Sequence, residues 1–213
     1  MPRFLLAALA AWTLALSPAA PARAQAALPA APDKMIEVLS NQVLDRIKGD
    51  PELRTGDLRR LSQFVDDTVM PYVNFERMTA LAVGRAWRTA TPEQQKQLMA
   101  EFRALLLRTY SGAVSQVRDH VIRVKPLRAA PEDAEVIVRS EIVSTRGDPI
   151  QLDYRMEKNN PHWKIYDINV LGVWLVETYR NQFAQEINAR GIDSLIKVLG
   201  DRNRQFAQQG GKS

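Results

Sequence analysis

Apolar residues recur every three or four positions through the first half of the chain, a spacing that predicts amphipathic helices. The first helix is expected to start at Asp33, as its N-cap, and to end before Gly49 and Pro51. A second helix is predicted from Asp57 to about Val69. Pro71 stops it, because proline has no amide hydrogen and its ring collides with the preceding turn.

Two further helices are predicted before the pattern changes. The shorter runs from Asn74 to Val83 and is closed by Gly84. The longer opens on Thr91-Pro92-Glu93-Gln94, in which threonine caps, proline takes the first helical position and glutamine reaches back as in a capping box. It is expected to reach about Val117, with an apolar stripe broad enough to pack against a curved surface.

From Val121 onward the periodicity becomes alternating, which predicts strands with one buried face. The clearest case is the segment from Ile150 to Met156, where every second residue is apolar. About four antiparallel strands are predicted, at 121–127, 136–142, 150–156 and 163–170, followed by helices at 174–189 and 192–206 with Gly191 between them as a left-handed cap. Helices, then a sheet, then helices indicate an α+β fold.

The two ends of the chain are predicted to lie outside the folded domain. Residues 1–24 are expected to be a secretory signal peptide, with Arg3, an apolar run and Ala22-Arg23-Ala24 as the cleavage site. Residues 25–32 are expected to form a flexible Ala- and Pro-rich leader, and residues 208–213 a disordered tail. One domain is therefore predicted at 33–207.

Composition narrows the range of functions. The chain contains no cysteine, so its stability must come from packing rather than disulfides. The formal net charge of +5 is spread along the chain, without the dense basic face typical of nucleic-acid-binding proteins. The histidines, His120 and His162, form no metal-ligand pattern, and no nucleotide-binding or nucleophile motif occurs. No cofactor is predicted.

Two regions carry a resemblance to a known family. The first is Asp66 to Tyr110, which includes Asp66-Asp67-Thr68-Val69-Met70-Pro71-Tyr72-Val73 and Ala82-Val83-Gly84-Arg85-Ala86-Trp87. The second includes Trp163-Lys164-Ile165-Tyr166-Asp167, Gly172-Val173 and Tyr179-Arg180-Asn181-Gln182-Phe183. In order and spacing, these strings resemble the MlaC family of periplasmic phospholipid carriers, also called the toluene-tolerance family.

The resemblance implies a fold and a function. The fold would be a cone of the nuclear transport factor 2-like type, whose curved sheet and packed helices enclose an apolar pocket. The function would be a periplasmic phospholipid carrier that maintains outer-membrane lipid asymmetry. Its partners would be an outer-membrane lipoprotein complex and an inner-membrane ABC transporter with a lipid-binding ring. One departure is Trp174, where the family commonly has a small residue, and a bulky indole there is expected to narrow or reshape the pocket.

The residues predicted to line the pocket are apolar or aromatic and lie on helical and strand faces expected to meet. For any one of them, an ordinary core position is the competing interpretation. The set is Tyr72, Phe75, Leu81, Leu105, Tyr110, Val138, Leu152, Tyr154, Ile168 and Val176.

Asp167 supports an alternative function. It lies in an apolar strand, where an unpaired charge is costly, and on a fold of this type it would be the pocket base of a small-molecule enzyme. The competing structural interpretation pairs it with an arginine such as Arg180 or with backbone amides. The enzyme hypothesis requires Asp167 to face the pocket beside another polar group. Asp66 and Asp67 are expected to lie on a solvated helix face, with a helix cap or pairing with Arg77 or Arg85 as the alternatives for Asp66.

Overall fold

The computed structural model describes residues 31–130, 132–145, 147–159 and 162–210, and these form the predicted α+β arrangement. The predicted signal peptide and most of the leader lie outside these residues. Within the described part of the chain the helices are α1 (Pro32–Gly49), α2 (Pro51–Arg54), α3 (Leu58–Thr68), α4 (Phe75–Val83), α5 (Pro92–Val114), α6 (Leu175–Arg190) and α7 (Ile192–Gly210). The strands are β1 (Val121–Val124), β2 (Glu135–Val143), β3 (Ile150–Asn159), β4 (His162–Val170) and β5 (Val173–Trp174).

The start of α5 confirms a sequence prediction at the level of individual hydrogen bonds. The Thr91 hydroxyl accepts from the Gln94 amide, and the Gln94 side chain accepts from the Thr91 amide, which completes the capping box. The prediction for α1 was wrong, because Ala31 is its N-cap and no side chain caps it. Asp33 lies instead in the first turn, where its charge favours the helix dipole.

The helix ends differ from the predictions by short segments. Helix α5 ends at Val114 rather than Val117, and the unpredicted one-turn α2 is capped by the Asp50 side chain. Helix α7 continues to Gly210, past the predicted domain end at 207. Gly191, with φ of 85°, ends α6 in the left-handed region as predicted.

The five strands form one open antiparallel sheet in sequence order, with the two-residue β5 added to the predicted four. The register places Val138, Tyr154 and Ile168 side by side in one row across β2, β3 and β4. A bulge in β4 interrupts the pairing between Arg155 and Met156 of β3. A bulge increases local twist, which suits a curved sheet. The nuclear transport factor 2-like label stays a prediction.

Helices cover one face of the sheet, called here the inner face, which carries the Val138 row. Helix α1 packs over β1 and β2, while α4 and α6 pack near β4. Among the described helices, none combines the length and apolar character required to cross a membrane.

The turn between β4 and β5 contains a strained residue. Leu171 has φ of 53° and Gly172 has φ of 87°, while Val170 pairs directly with Val173, so two residues with positive φ close this hairpin. Leucine is disfavoured there because its Cβ crowds the following carbonyl. Its side chain is 65% exposed and loses little contact on replacement.

Replacing Leu171 with asparagine should therefore raise the free energy of unfolding by about 1 kcal/mol, since asparagine tolerates positive φ and Asn-Gly is a favoured hairpin turn. Urea unfolding measures the change. Leu171→Ala keeps the Cβ and should leave stability nearly unchanged. Equal stabilisation by both substitutions would mean that the exposed side chain, rather than the backbone conformation, carries the cost.

Candidate functional site

The described residues form three clusters of buried apolar side chains. The smallest joins α1, α2 and α3, and its buried members are Ile47, Leu53, Leu61 and Phe64. The other two contain the predicted lining residues. The sheet cluster joins α1 to the inner face of the sheet, and its buried members are Met35, Ile36, Leu39, Val138, Tyr154, Met156, Trp163 and Ile165. The helical cluster joins α4, α5, α6 and α7, and its buried members are Met78, Ala82, Val83, Leu98, Phe102, Leu105, Leu175, Val176, Tyr179, Phe183, Leu195 and Leu199. Val73 and Ile168 pack against both clusters, so the interior is continuous between them.

Nine of the ten predicted lining residues belong to these clusters or pack against them. The structure thus brings together side chains that are distant in sequence, from the 3-10 turn at Met70–Tyr72 to the start of α6. Ile168 lies at the junction of the two clusters. Tyr72, Val138, Leu152 and Tyr154 lie on the sheet side, and Phe75, Leu81, Leu105 and Val176 on the helical side.

Tyr110 is the exception among the predicted residues. Its side chain is 37% exposed and belongs to neither cluster. It lies twelve residues beyond Leu98, which places it about 120° around α5 from that buried position. Partial burial, with a smaller effect of the nearby Tyr179, raises the pKa of its hydroxyl.

Accessibility varies along the predicted lining. Val138 is 0% exposed and Leu105 is 1% exposed, so water-sized space does not adjoin either side chain. Leu152 and Ile168 on the sheet, by contrast, are only partly buried. The interior is therefore packed at some predicted contacts and accessible at others. A long ligand can enter only if packed side chains move apart.

One hydroxyl pair lies within the sheet cluster. The Tyr154 hydroxyl is 3.5 Å from the Ser40 hydroxyl on α1, and burial raises the pKa of Tyr154. The sequence analysis included Tyr154 but missed Ser40. Its position four residues after Ile36, on the same face of α1, was the available signal.

Asp167 lies outside both apolar clusters. Its carboxylate accepts hydrogen bonds from the Arg155 guanidinium at 3.0 Å and from the amides of Ile168 and Val176 at 2.9 and 3.0 Å. The structural interpretation is confirmed, with Arg155 rather than Arg180 as the arginine and with two backbone amides as further donors. Burial raises the pKa of Asp167, while its hydrogen-bond donors oppose that shift. The residue ties β4 to the first turn of α6, and the enzyme hypothesis loses its proposed base.

Trp174 does not enter the interior. It pairs with Asn169 at the edge of the sheet, and the Arg155 guanidinium lies 3.9 Å from the centre of its ring. Arg155 also pairs with Glu177, so a polar cluster holds the indole in place. The expectation that Trp174 narrows the pocket was wrong, because the β5 register turns its side chain to the opposite face of the sheet from the Val138 row.

The same outer face carries a second polar group that sequence reasoning missed. Arg77 on α4 bonds to Glu135 and Glu157, and its guanidinium lies 3.9 Å from the centre of the Tyr166 ring. The hydrogen bond from Arg77 lowers the pKa of Glu135, as does one from the Tyr166 hydroxyl. The sheet therefore has one apolar face and one charged face, and only the apolar face suits hydrocarbon.

Comparisons with known proteins agree with this geometry. The family model described as MlaC protein matches residues 37–201. The intermembrane phospholipid transport system binding protein MlaC of Haemophilus influenzae is 26% identical over 169 residues, covering 76% of this chain and 79% of that protein. The toluene tolerance protein ttg2D of Pseudomonas putida is 22% identical over 163 residues, covering 76% of this chain and 75% of that protein.

A solved structure is more similar in sequence. It is the phospholipid-binding protein of Ralstonia solanacearum, determined in complex with a phospholipid. The identity is 47% and the TM-score is 0.78, over 81% of this chain and 96% of that one. Similarity at this level extends over nearly the whole of the solved chain.

Proposed function

This chain belongs to the MlaC family, and we propose that it carries phospholipid across the periplasm with the acyl chains held in its apolar interior. The observation that carries the proposal is the 47% identical protein of similar fold that was solved with a phospholipid bound. The continuous interior between the sheet and helical clusters supports it, since acyl chains require apolar surroundings.

The physical need for a carrier follows from the lipid itself. A two-chain phospholipid carries roughly 30 methylenes, and exposing them to water costs about 20 kcal/mol or more, at ~0.8 kcal/mol each. An interior about as apolar as a bilayer removes that barrier without binding the lipid more tightly than a membrane does. Net direction then comes from the donor and acceptor machinery rather than from the carrier.

The proposed acyl contacts are the nine predicted residues that belong to the two clusters or pack against them. Entry begins where the interior is accessible, at Leu152 and Ile168, and continues as packed side chains move apart. The outer face of the sheet is excluded by its charged groups, including Arg77 and Arg155. The headgroup stays near solvent, so selectivity among headgroups is expected to be low.

The proposed setting is the periplasm, with docking at two membranes. The donor and acceptor would be an outer-membrane lipoprotein complex and an inner-membrane ABC transporter that carries a lipid-binding ring. The name of the Haemophilus influenzae relative, which places it in an intermembrane phospholipid transport system, supports this setting. Transport between these complexes would maintain outer-membrane lipid asymmetry.

Native mass spectrometry of the purified protein tests the carrier function. We expect copurified phospholipid, or uptake of phospholipid when protein that carries none is mixed with vesicles. Protein that arrives empty and takes up no lipid from vesicles would contradict the proposal.

Filling the interior should block loading. Leu152→Trp adds a bulky ring on the inner face and should lower the lipid-bound fraction several-fold in native mass spectra. Gln151→Trp is the matched control, because it adds the same ring at the adjacent position, which points to the other face and is exposed. Equal loading of both variants, with both folded by circular dichroism, would show that lipid does not use this face of the sheet.

A further inference from the structure

A second concave site lies on the helical surface, away from the two apolar clusters. It is a groove of about 530 Å³ between α3 and α5. Helix α5 turns Leu98, Phe102 and Leu105 toward the interior and presents a different face to this groove. The groove is lined by Leu58, Arg59, Ser62, Gln63, Asp66 and Asp67 of α3 and by Arg103, Ala104, Leu107 and Arg108 of α5.

One arginine in the groove is partly engaged by neighbouring groups. The Nη2 atom of Arg103 donates to the Ser62 carbonyl and hydroxyl and, at 2.6 Å, to the Asp66 carboxylate. The alternative pairing of Asp66 with Arg77 or Arg85 was therefore wrong. The Asp66 side chain is 52% exposed, so an incoming anion can reach and displace it.

Two guanidinium nitrogens of the arginines that line the groove lack acceptors. Within the described residues, the buried Nε of Arg103 and the buried Nη1 of Arg108 have no hydrogen-bond partner. A buried donor without an acceptor is costly, more so when it belongs to a charged group. The three arginines of the groove, Arg59 included, exceed its two aspartates by one positive charge. An anion placed here would neutralise that charge, and a shift of the Arg103 and Arg108 side chains would let it accept from the free donors.

The chemistry of the lining indicates which anion fits. Guanidinium groups bind phosphate and carboxylate through paired N–H donors, and a phosphoryl group offers three oxygens to donors that arrive from different directions. Arg103 and Arg108 are five positions apart on α5 and reach the groove from different sides of the helix. We propose that this groove is an oxyanion site that binds a phosphoryl group through Arg103 and Arg108.

The phosphoryl group has two possible sources, a lipid headgroup at a membrane surface or free phosphate. Leu58, Ala104 and Leu107 give the groove an apolar part beside its arginines, which suits a headgroup attached to hydrocarbon. The site is separate from the interior, so it does not rest on the proposed carriage of acyl chains.

The test monitors the Arg103 Nε–Hε resonance by NMR while inorganic phosphate is added, with chloride at equal ionic strength as the reference. We expect a saturable shift specific to phosphate. Arg108→Gln should weaken the apparent affinity about tenfold, the effect of losing a charge-assisted hydrogen bond. Arg88→Gln removes the same charge from an exposed position outside the groove and should leave the affinity unchanged.

Two results would overturn the proposal. One is a phosphate response equal to that of chloride, which would mean that the groove has no site specific for a phosphoryl group. The other is an equal loss in Arg88→Gln and Arg108→Gln, which would mean general surface charge. Arg108→Lys, which keeps the charge without the planar fork, serves as a second variant if Arg108→Gln unfolds, and it should also weaken phosphate binding.

Cosedimentation with phosphatidylglycerol vesicles then distinguishes the sources. If Arg108→Gln sediments less than Arg88→Gln, the headgroup at a membrane is the source. If both variants sediment equally while the phosphate response still depends on Arg108, the site takes free phosphate.

Discussion

Replacing Asp167 with alanine should lower the free energy of unfolding by about 3 kcal/mol, because the substitution strands buried donors and removes one partner of a buried ion pair. The Asp167 side chain is 1% exposed, and it accepts from Arg155 and from the Val176 amide in the first turn of α6. Without it, the Val176 amide in the first turn of α6 loses the carboxylate that links it to β4. Urea unfolding followed by circular dichroism measures the loss.

Glu177→Ala is the matched control. It removes the other carboxylate bound to Arg155, but that side chain is 62% exposed, so the cost should stay below about 1 kcal/mol. Asp167→Asn should be milder than Asp167→Ala, since the amide oxygen still accepts from the Val176 amide. Equal losses from Asp167→Ala and Glu177→Ala would contradict the structural role assigned to Asp167.

The free energy of unfolding should also depend on pH through Asp167. Burial raises the pKa of Asp167 above its ordinary value of 3.8. As the pH rises above that value, the carboxyl of the unfolded chain releases its proton before the native one does, which favours unfolding. The contribution of Asp167 to the free energy of unfolding should thus fall with rising pH until the native carboxyl also ionises. Asp167→Asn should lack this fall.

Phe102→Ala should produce the largest loss in the helical cluster, about 4 kcal/mol. The ring is 0% exposed and packs against Phe75, Tyr179 and Phe183, with ring centres between 4.9 and 5.7 Å apart. Removing the ring leaves a cavity, because α4, α5 and α6 can relax only partly into the space. The midpoint of urea unfolding reports the change.

Phe206→Ala is the comparison for Phe102→Ala. Phe206 packs only partly buried against the edge of the same cluster, near the end of α7, so its loss should cost about 1 kcal/mol. Similar losses for the two variants would mean that the helical cluster is loosely packed in solution and already contains space beside Phe102.

Much of the fold could be predicted because its signals are local. The Thr91–Gln94 capping box, the alternation in β3 and the glycine at 191 each depend on a few neighbouring residues, and each has the predicted structure. The wrong or missing predictions concern elements whose sequence patterns are weaker. Asp33 was a plausible cap whose role Ala31 has taken, and β5 is too short for alternation to reveal.

The candidate site was predictable as a set and not in detail. Helical and strand periodicity selected Leu105, Val138 and Ile168, which the fold brings to the interior. Tyr110, predicted in the same set, is the residue that the fold does not bring there. Its place at the surface depends on which neighbours reach that end of the helix.

The amino-acid sequence by itself determined the order of helices and strands, the apolar faces and the family, because these follow from spacing and short motifs along the chain. Only the tertiary structure decided that Arg155 rather than Arg180 holds Asp167, that Trp174 turns away from the interior, and that α3 and α5 form a groove with free guanidinium donors. The physical reason is that these contacts join residues far apart in the sequence. Pairing between long charged side chains depends on strand register and helix packing, which bring together residues that no local pattern connects.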